Sequence, residues 1–336
     1  MAIGRGILRV VNDSSAVDPL GEALHFLRMS GVLYSSCELS EPWGIALPRL
    51  PGTMMFYAVL AGRCWLEVEG VDQVLLQPGD LTLVPHGQEH SLRSDREAEA
   101  VNLFDLPLER VSESYEMIKY GGGGAVTRLF GCVVRFDHPA AQELVRLLPR
   151  MIRIEASSAP ELEWMQTTWR LMAAEAQELK PGGETVITRL ADILVIQAIR
   201  SWIAEDAAAQ TGWLGALQDP QIGRVITLIH RDPGRTWTVA SLAAEVAMSR
   251  SAFAARFTEL VGEPAMHYVA RWRMHVALTL LKDDDAPLAD LANRLGYQSE
   301  AAFSRAFKRF IGVSPGAARR NRDGTDATVA VRDLPI

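Results

Sequence analysis

The stretch LADLANRLGYQSEAAFSRAFKRFIGVSPGAAR, residues 288–319, decides the fold of the C-terminal part of the chain. It reads as a short helical segment, a tight turn, and a second helical segment that Ser299 opens. A serine suits this N-cap position because its oxygen accepts hydrogen bonds from free backbone N–H groups. Phe303, Phe307 and Phe310 recur at helical spacing, which predicts one apolar face. The stretch therefore predicts a helix-turn-helix unit.

The same pattern occurs earlier, in ASLAAEVAMSRSAFAARFTELVG, residues 240–262. The matching positions are Leu242 and Leu291, Ser249 and Ser299, Phe253 and Phe303, Phe257 and Phe307, and Gly262 and Gly312. Between the copies, residues 265–282 have apolar side chains at helical spacing and predict a connecting helix. Two rigidly linked units can place their second helices in successive major grooves, roughly 34 Å apart.

The face opposite the phenylalanines is small or basic in both second helices. In the first helix it carries Ser251, Ala254, Ala255 and Thr258, flanked by Arg250 and Arg256. In the second helix it carries Ala301, Ser304, Arg305 and Lys308. Small residues allow a close approach to DNA, and Arg305 can reach a guanine edge or a phosphate. A duplicated helical bundle without a DNA role is the alternative interpretation.

The charge distribution favours a nucleic-acid partner for this part of the chain only. The net charge of all 336 residues is −7. Residues 221–320 contain 14 basic and 9 acidic residues, a balance of +5, which leaves −12 for the rest. A basic module joined to an acidic one is typical of a DNA-binding domain attached to a domain that does not bind DNA. This balance disfavours a non-specific nucleoid-type binder, which relies on many phosphate contacts.

The bulk composition predicts a globular protein of two domains, with 48% hydrophobic and 22% charged residues. No apolar run reaches the roughly 18 residues that a membrane span needs, and no signal peptide is recognisable, so we expect a cytoplasmic protein without a membrane partner. The three cysteines, Cys37, Cys64 and Cys132, are odd in number and contain no C-x-x-C pair. We expect neither a disulfide framework nor a structural zinc site.

The N-terminal part is predicted to be β-rich and then helical. Short alternating stretches between about 30 and 105 are separated by Gly, Pro and Asp turns, which is typical of a small barrel or sandwich. The segment GCVVRFDHP, residues 131–139, predicts the last strand, and residues 140–205 then have a helical period. An apolar face in that segment must pack on the β domain, form a dimer interface, or do both; it comprises Val186, Ile187, Leu190, Ile193, Leu194 and Ile203.

Residues 221–320 resemble the DNA-binding domain of the AraC/XylS family of bacterial regulators. The second unit follows the family pattern A-x-x-x-G-[FY]-x-[ST]-x-x-x-[FL]-x-[RK]-x-F-[KR]-x-x-x-G-x-[ST]-P almost throughout. The resemblance implies that bases are read by Ser251, Ala254 and Ala255 in the first helix and by Gln298, Ala301, Ser304 and Arg305 in the second. It also implies that Arg250, Ser299 and Lys308 approach phosphates. Ala254 and Ala255 cannot form hydrogen bonds to bases, so such readout by the first helix requires Arg250 or Arg256.

The stretch GDLTLVPHGQEH, residues 79–90, fits G-x5-P-x-G-x2-H, the second motif of the cupin β-barrel. The preceding LPRLPGTMM lacks the histidines and carboxylate of a metal-binding cupin, and one histidine cannot hold a catalytic metal. The wider arrangement resembles the cupin sensor domains found ahead of this DNA-binding module. It implies effector sensing, with Tyr57, Trp65, Glu67 and His90 as pocket candidates. The three cysteines are candidates for redox sensing, with buried inert thiols as the alternative.

We therefore predict an α+β multidomain protein with an N-terminal cupin-like β-barrel and helices and a C-terminal all-α double helix-turn-helix domain. The expected divisions are 1–139 for the sensor, 140–205 for helical packing or dimerisation, 206–220 for the linker, 221–320 for the DNA-binding domain and 321–336 for a flexible tail. The predicted function is a DNA-binding regulator, an activator by family analogy, that binds double-stranded DNA, a small effector, RNA polymerase and a second copy of itself, without a cofactor. The alternative is a metal-dependent cupin enzyme fused to a DNA-binding module.

Overall fold

A computed structural model of the chain describes residues 20, 21, 24, 29–136, 139–155, 163–178, 180–206, 212–283 and 286–320. The predicted flexible tail, 321–336, lies outside these ranges, as do the start of the N-terminus and residues 207–211 of the predicted linker. Within these ranges, no helix has both the length and the apolar character that crossing a membrane requires.

The N-terminal domain is built from two β-sheets that face each other. Its strands are β1 (Met29–Ser40), β2 (Gly44–Leu47), β3 (Thr53–Ala61), β4 (Cys64–Val68), β5 (Val74–Leu76), β6 (Leu81–Val84), β7 (His90–Arg93), β8 (Val101–Asn102), β9 (Leu108–Arg110), β10 (Tyr115–Gly121), β11 (Val126–Phe136) and β12 (Ile152–Ile154). One sheet has the order β12-β6-β3-β11-β1-β10-β9, and the other has the order β5-β4-β7-β2-β8. Most pairs are antiparallel, but β1 pairs with β10 and β2 with β8 in parallel.

Helices cover the outer face of the seven-stranded sheet. They are α1 (Pro139–Leu147), α2 (Glu163–Glu178) and α3 (Gly183–Glu205). Because side chains alternate along a strand, one set of strand residues packs between the sheets and the other set packs under the helices. Phe56 and Phe130, for example, lie against Trp169 of α2. The predicted helical segment 140–205 also contains β12, which pairs with β6. Three residues are too few to show an alternating pattern, so the sequence did not predict this strand.

Helix α3 uses its apolar residues in two directions. Ile187, Leu194 and Ile203 are buried against the sheet and α2, as expected for packing on the β domain. Val186 and Ile193 instead lie on the solvent side, with exposures of 42% and 46%. The sequence did not distinguish packing on the β domain from dimerisation. Packing within the chain buries only part of the apolar face of α3.

The C-terminal domain is all helical. It consists of α4 (Gly212–Gln218), α5 (Ile222–Arg231), α6 (Val239–Glu245), α7 (Arg250–Val261), α8 (Ala265–Asp283), α9 (Leu288–Arg294), α10 (Glu300–Ile311) and α11 (Pro315–Arg320). The pairs α6–α7 and α9–α10 are the two predicted helix-turn-helix units. Ser249 and Ser299 are confirmed as N-caps, because their side chains accept from the N–H groups of Ala252 and Ala302.

The segment 206–220, which the sequence predicts to be a linker, contains helix α4. Trp213, Leu214 and Leu217 are buried, and α4 packs against α5 and α7 of the DNA-binding domain. The Trp213 indole donates a hydrogen bond to the Tyr268 hydroxyl of α8 at 2.9 Å. The C-terminal domain therefore begins at least as early as residue 212. A helix of seven residues has too few turns to show a clear apolar stripe, so the sequence did not distinguish it from a linker.

Helix α8 confirms the predicted connecting helix and joins the two units. Tyr268 and Trp272 belong to the core that contains Phe253 and Phe257, whereas Met274, Ala277 and Leu281 belong to the core that contains Phe303 and Phe307. The Arg273 guanidinium donates to the carbonyls of Pro233 and Arg235 at 2.7 and 2.8 Å. The backbones of Gly234 and Gly296 also meet, since a Cβ on Gly296 would lie 2.4 Å from the Gly234 carbonyl oxygen. These contacts hold the two units in one fixed arrangement.

Candidate nucleic-acid interface and sensor cavity

Helix α10 presents a polar row to solvent. Gln298, Ala301, Arg305 and Lys308 are exposed and Ser304 is half-buried, while Phe303 and Phe307 on the opposite side are fully buried. Within the described part of the chain, the side chains of Arg305 and Lys308 have no ion-pair or hydrogen-bond partner. The cap serine, Ser299, accepts from the Ala302 N–H at 3.2 Å, which leaves its hydroxyl proton for an acceptor such as a phosphate.

Helix α7 presents a smaller and less polar row. Arg250, Ser251 and Ala255 are exposed and Ala254 is half-buried. The hydroxyls of Ser249 and Ser251 lie 3.3 Å apart at the start of the helix. Two alanines in the row can offer only apolar contacts, such as one to a thymine methyl group. The structure therefore brings the predicted reading residues together on each helix, with different chemistry on the two helices.

Arg256 is placed differently from the other predicted DNA-contacting residues. Its guanidinium donates to the Asp219 carboxylate at 2.9 Å and lies 3.8 Å from Glu259. Burial acts to raise the pKa of Asp219, but hydrogen bonds from the Ile222 N–H and from Arg256 lower it below its ordinary value. The carboxylate is therefore ionised at neutral pH and holds Arg256. Arg256 attaches α7 to the segment before α5, and its role at the DNA stays a prediction.

A mainly apolar cavity of about 40 Å³ lies between the two sheets of the N-terminal domain. Its walls come from β1, β2, β3, β7, β10 and β11, and they include Leu33, Ser35, Ile45, Tyr57, Leu92, Ile118 and Leu129. One water needs about 10–15 Å³ on the same scale, so the cavity has room for a molecule of a few heavy atoms. Tyr57 is the one lining residue that the sequence predicted as a pocket residue, although the alternation of Leu33, Ser35 and Cys37 along β1 was a usable signal.

Tyr57 and His90 form a buried hydrogen-bonded pair at this cavity. The Tyr57 hydroxyl lies 2.6 Å from His90 Nε2, and His90 Nδ1 lies 2.8 Å from the Gln88 carbonyl oxygen. A carbonyl only accepts, so Nδ1 carries the proton and Nε2 accepts from Tyr57. Burial lowers the pKa of His90 below its ordinary value of 6.5, although the bond to Gln88 opposes this. The histidine of the 79–90 motif is therefore buried and neutral, with its ring paired to Tyr57.

Trp65 and Glu67 do not join this pair. They occupy the alternate positions of β4 that face away from the cavity, while Cys64, Leu66 and Val68 face inward and are buried. Arg96 lies over the Trp65 ring at 4.0 Å, and Glu67 lies 3.5 Å from the Arg93 guanidinium. The structure thus contradicts their placement in the pocket. The error arose because β4 is short and the sequence alone did not establish which alternate set faces inward.

The three cysteines are free thiols and all are buried. Burial raises the pKa of Cys37 and of Cys64 to about 12, and it raises the pKa of Cys132 well above the ordinary value. Since the thiolate is the reactive form, these environments oppose oxidation or exchange at neutral pH. The geometry corresponds to the inert alternative rather than to the redox-sensing role.

No cluster of metal-ligating side chains accompanies His90. Among the described residues, no group of three His, Cys, Asp or Glu side chains is placed to hold a metal ion. His86, the other histidine of the motif, lies 2.9 Å from the Leu148 carbonyl oxygen through its Nε2 and lines a different cavity. His90 Nε2 itself is already occupied by Tyr57.

Comparison with known proteins agrees with this geometry. A family model described as Cupin matches residues 18–204, and one described as Helix-turn-helix domain matches residues 242–321. A putative AraC-like transcription regulator of Streptomyces lividans is 36% identical over 91% of this chain and 99% of its own length. One from Streptomyces antibioticus is 35% identical over the same shares. The transcriptional regulator AlkR of Acinetobacter baylyi is 30% identical over 78% of this chain and 86% of its own length.

The chain belongs to the AraC-like transcription regulators. The predicted fold class is confirmed, with a sheet-rich cupin domain followed by a helical DNA-binding domain. The prediction of a DNA-binding transcription regulator is confirmed as well. In this AraC-like regulator the Cupin match runs past residue 139 and through most of α3, so the covering helices accompany the sheets in that family model.

The Tyr57–His90 pair predicts a pH-dependent component of stability. Because the folded domain holds His90 neutral, the unfolded chain takes up a proton below pH about 6.5 that the folded chain does not. Stability is therefore present above that pH and is lost as the pH falls, by up to about 1.4 kcal/mol per pH unit. Denaturant unfolding measures the stability of the N-terminal domain at pH 7.5 and at pH 5.5. The stability should fall less between these pH values for His90→Gln than for wild type.

Tyr57→Phe is the matched control because it removes the hydroxyl and keeps the histidine. It should lower stability by about 1–3 kcal/mol at both pH values, since it leaves His90 Nε2 buried without a donor. The pH-dependent loss should remain. An identical pH dependence in His90→Gln and wild type would show that this assignment of the titrating group is wrong.

Proposed function

We propose that this AraC-like regulator recognises a specific operator with α7 and α10 and that α10 supplies most of the hydrogen-bonded base readout. The observation that carries the proposal is the exposed row of α10, in which the Arg305 and Lys308 side chains have no partner among the described residues. Gln298 and Arg305 can each bond to a base edge in two places, whereas α7 offers a serine and two alanines. The contribution of α7 is then positioning, shape and methyl contact.

Arg305→Ala should weaken binding to the operator by about 1–3 kcal/mol, more than any single substitution on the outer face of α7 such as Ser251→Ala. The reason is the loss of base-specific hydrogen bonds. Titrations with operator and random DNA at one physiological salt concentration measure the specific and the non-specific affinity. Lys308→Ala is the control, because loss of a phosphate contact should weaken binding to both DNAs similarly. A loss for Arg305→Ala equal to or smaller than that for Ser251→Ala would contradict the proposal.

The regulatory outcome that we propose is activation, with RNA polymerase as a partner. This step rests on analogy with the family, in which activation is the commoner mode. Transcription in vitro from a bound promoter, with purified RNA polymerase, should rise when the protein is added. A fall would identify a repressor. An enzymatic role has less support, because His90 is buried and its Nε2 is paired with the Tyr57 hydroxyl.

We further propose that the cavity between the sheets binds a small and mainly apolar effector. Leucine and isoleucine side chains from both sheets form most of its lining. The Tyr57 hydroxyl supplies one polar group, since its oxygen can accept a hydrogen bond while its proton is donated to His90. A small-molecule signal has more support than a redox signal, because burial raises the pKa of all three thiols.

Ser35→Leu tests the effector site by filling it. Ser35 lies on the inward-facing set of β1 with Leu33 and Cys37 and lines the cavity. We expect that some members of a panel of small alkanes and alcohols raise the melting temperature of the wild-type full-length protein and do not raise that of Ser35→Leu. Both proteins should bind operator DNA equally without ligand. Equal thermal shifts in the two proteins, or none in wild type, would refute the site.

A second copy of the chain is the proposed occupant of the exposed face of α3. Val186 and Ile193 are two helical turns apart, and Leu171 of the neighbouring helix α2 is 53% exposed. In a two-fold antiparallel pairing centred near Ile193, the exposed apolar side chains of one copy meet those of the other.

Ile193→Glu should weaken self-association at least about tenfold, because it places a charge in an apolar interface. Sedimentation equilibrium measures the dimer dissociation constant. Val126→Glu is the matched control, since Val126 is exposed to a similar degree, 44%, on the β-sheet domain. Unchanged association of Ile193→Glu, or equal weakening in both variants, would rule out α3 as the dimer interface.

A further inference from the structure

A second cavity, of about 240 Å³, opens on the surface of the cupin domain and has a polar lining. It lies where four connections meet: β2–β3, β4–β5, β6–β7 and α1–β12. The lining residues are Arg49, Glu69, His86, Gln88 and Arg150. None of them lines the apolar cavity between the sheets. The two cavities therefore suit ligands of different chemistry.

Two guanidinium groups contact one residue, Glu69, at this cavity. Arg49 Nη2 lies 3.5 Å from Glu69 Oε2, and both side chains are about two-thirds exposed, at 66% and 65%. Arg150 Nη1 donates to the backbone carbonyl of Glu69 at 2.6 Å. In the described part of the chain Arg150 has no carboxylate within ion-pair distance. The lining thus carries one uncompensated positive charge and several unused N–H donors.

The buried side chain of Gln88 holds the backbone that carries Arg150 in place. Gln88 is only 7% exposed. Its amide nitrogen donates to the Arg150 carbonyl at 2.6 Å, and its amide oxygen accepts from the His86 N–H at 3.2 Å. His86 Nε2 in turn donates to the Leu148 carbonyl. These bonds attach the α1–β12 connection to the β6–β7 turn, so the backbone that carries Arg150 is positioned before any ligand arrives.

Gly70 lets the Arg150 guanidinium lie directly against the β4–β5 turn. Its φ is +76°, in the left-handed region, and a Cβ there would lie 2.7 Å from Arg150 Nη1. A larger residue would push the guanidinium away from the Glu69 carbonyl. The turn thus leaves room for the guanidinium at the wall of the cavity.

We propose that this cavity binds a small dianion, such as a phosphate monoester or a dicarboxylate, between the guanidinium groups of Arg49 and Arg150. The planar fork of an arginine matches the paired oxygens of these anions and forms short, charge-assisted hydrogen bonds. Glu69 weakens the site, because its carboxylate competes with the anion for Arg49. A bound dianion ties the β2–β3 loop to the α1–β12 connection, which leads to the helices covering the sheet. The site is a second input to the regulator, separate from the apolar effector cavity.

Isothermal titration calorimetry of the full-length protein tests the site, with inorganic phosphate and succinate as probes at constant ionic strength. We expect saturable binding of one of them with a stoichiometry of one. Arg49→Gln and Arg150→Gln should each weaken binding about tenfold or more, whereas Glu69→Gln should strengthen it. Tighter binding of phosphate assigns the site to phosphate monoesters, and tighter binding of succinate assigns it to dicarboxylates.

Arg128→Gln is the matched control. Arg128 is 61% exposed on the same domain and is also paired with a carboxylate, Glu38, at 3.1 Å. Its loss should leave the affinity unchanged. Arg49 is exposed and, among the described residues, its side chain makes only the long contact with Glu69. Arg49→Gln therefore remains informative even if Arg150→Gln unfolds the domain. Absence of saturable binding, equal weakening by Arg128→Gln, or weakening by Glu69→Gln would overturn the proposal.

Discussion

The burial of helix α8 in two cores at once is the constraint on which the DNA-binding half depends. Its first half completes the core of one helix-turn-helix unit through Tyr268 and Trp272, and its second half completes the core of the other through Met274 and Leu281. Neither half can turn about the helix axis without exposing apolar surface in its own core. The two recognition helices are therefore carried as one body, and the spacing between their exposed rows is a property of α8.

In the N-terminal domain an element is also buried on two sides, but this element is a sheet instead of a helix. The seven-stranded sheet buries one face against its partner sheet and the other under α1, α2 and α3, so its strands have two apolar sets. Helix α1 also contacts α8, which places the sensor domain against the helix that sets the spacing of the recognition helices. The two cavities differ because one lies between the sheets, among apolar side chains, and the other lies among polar loops at the surface.

The role of a residue could be predicted from the sequence where its contacts are made by residues nearby in the chain. Ser299 as an N-cap and Phe303 and Phe307 as core residues follow from spacing along one helix, and the structure confirms them. Arg256 could not be predicted, because its partner Asp219 is far away in sequence. Trp65 was misplaced because β4 has only five residues, and a strand of that length fits either face of a sheet equally well.

The sequence by itself determined the duplicated helix-turn-helix pattern and the outer faces of its second helices, and its resemblance to a known family indicated the class of protein. The pattern and the faces follow from helical periodicity, capping and turn residues, which act over a few positions. Only the tertiary structure decided that Tyr57 pairs with His90, that α4 belongs to the DNA-binding domain, and that Arg49 and Arg150 line one cavity. Each of these depends on strands or loops that are distant in the chain, and the contacts between such segments are set by packing rather than by local propensity.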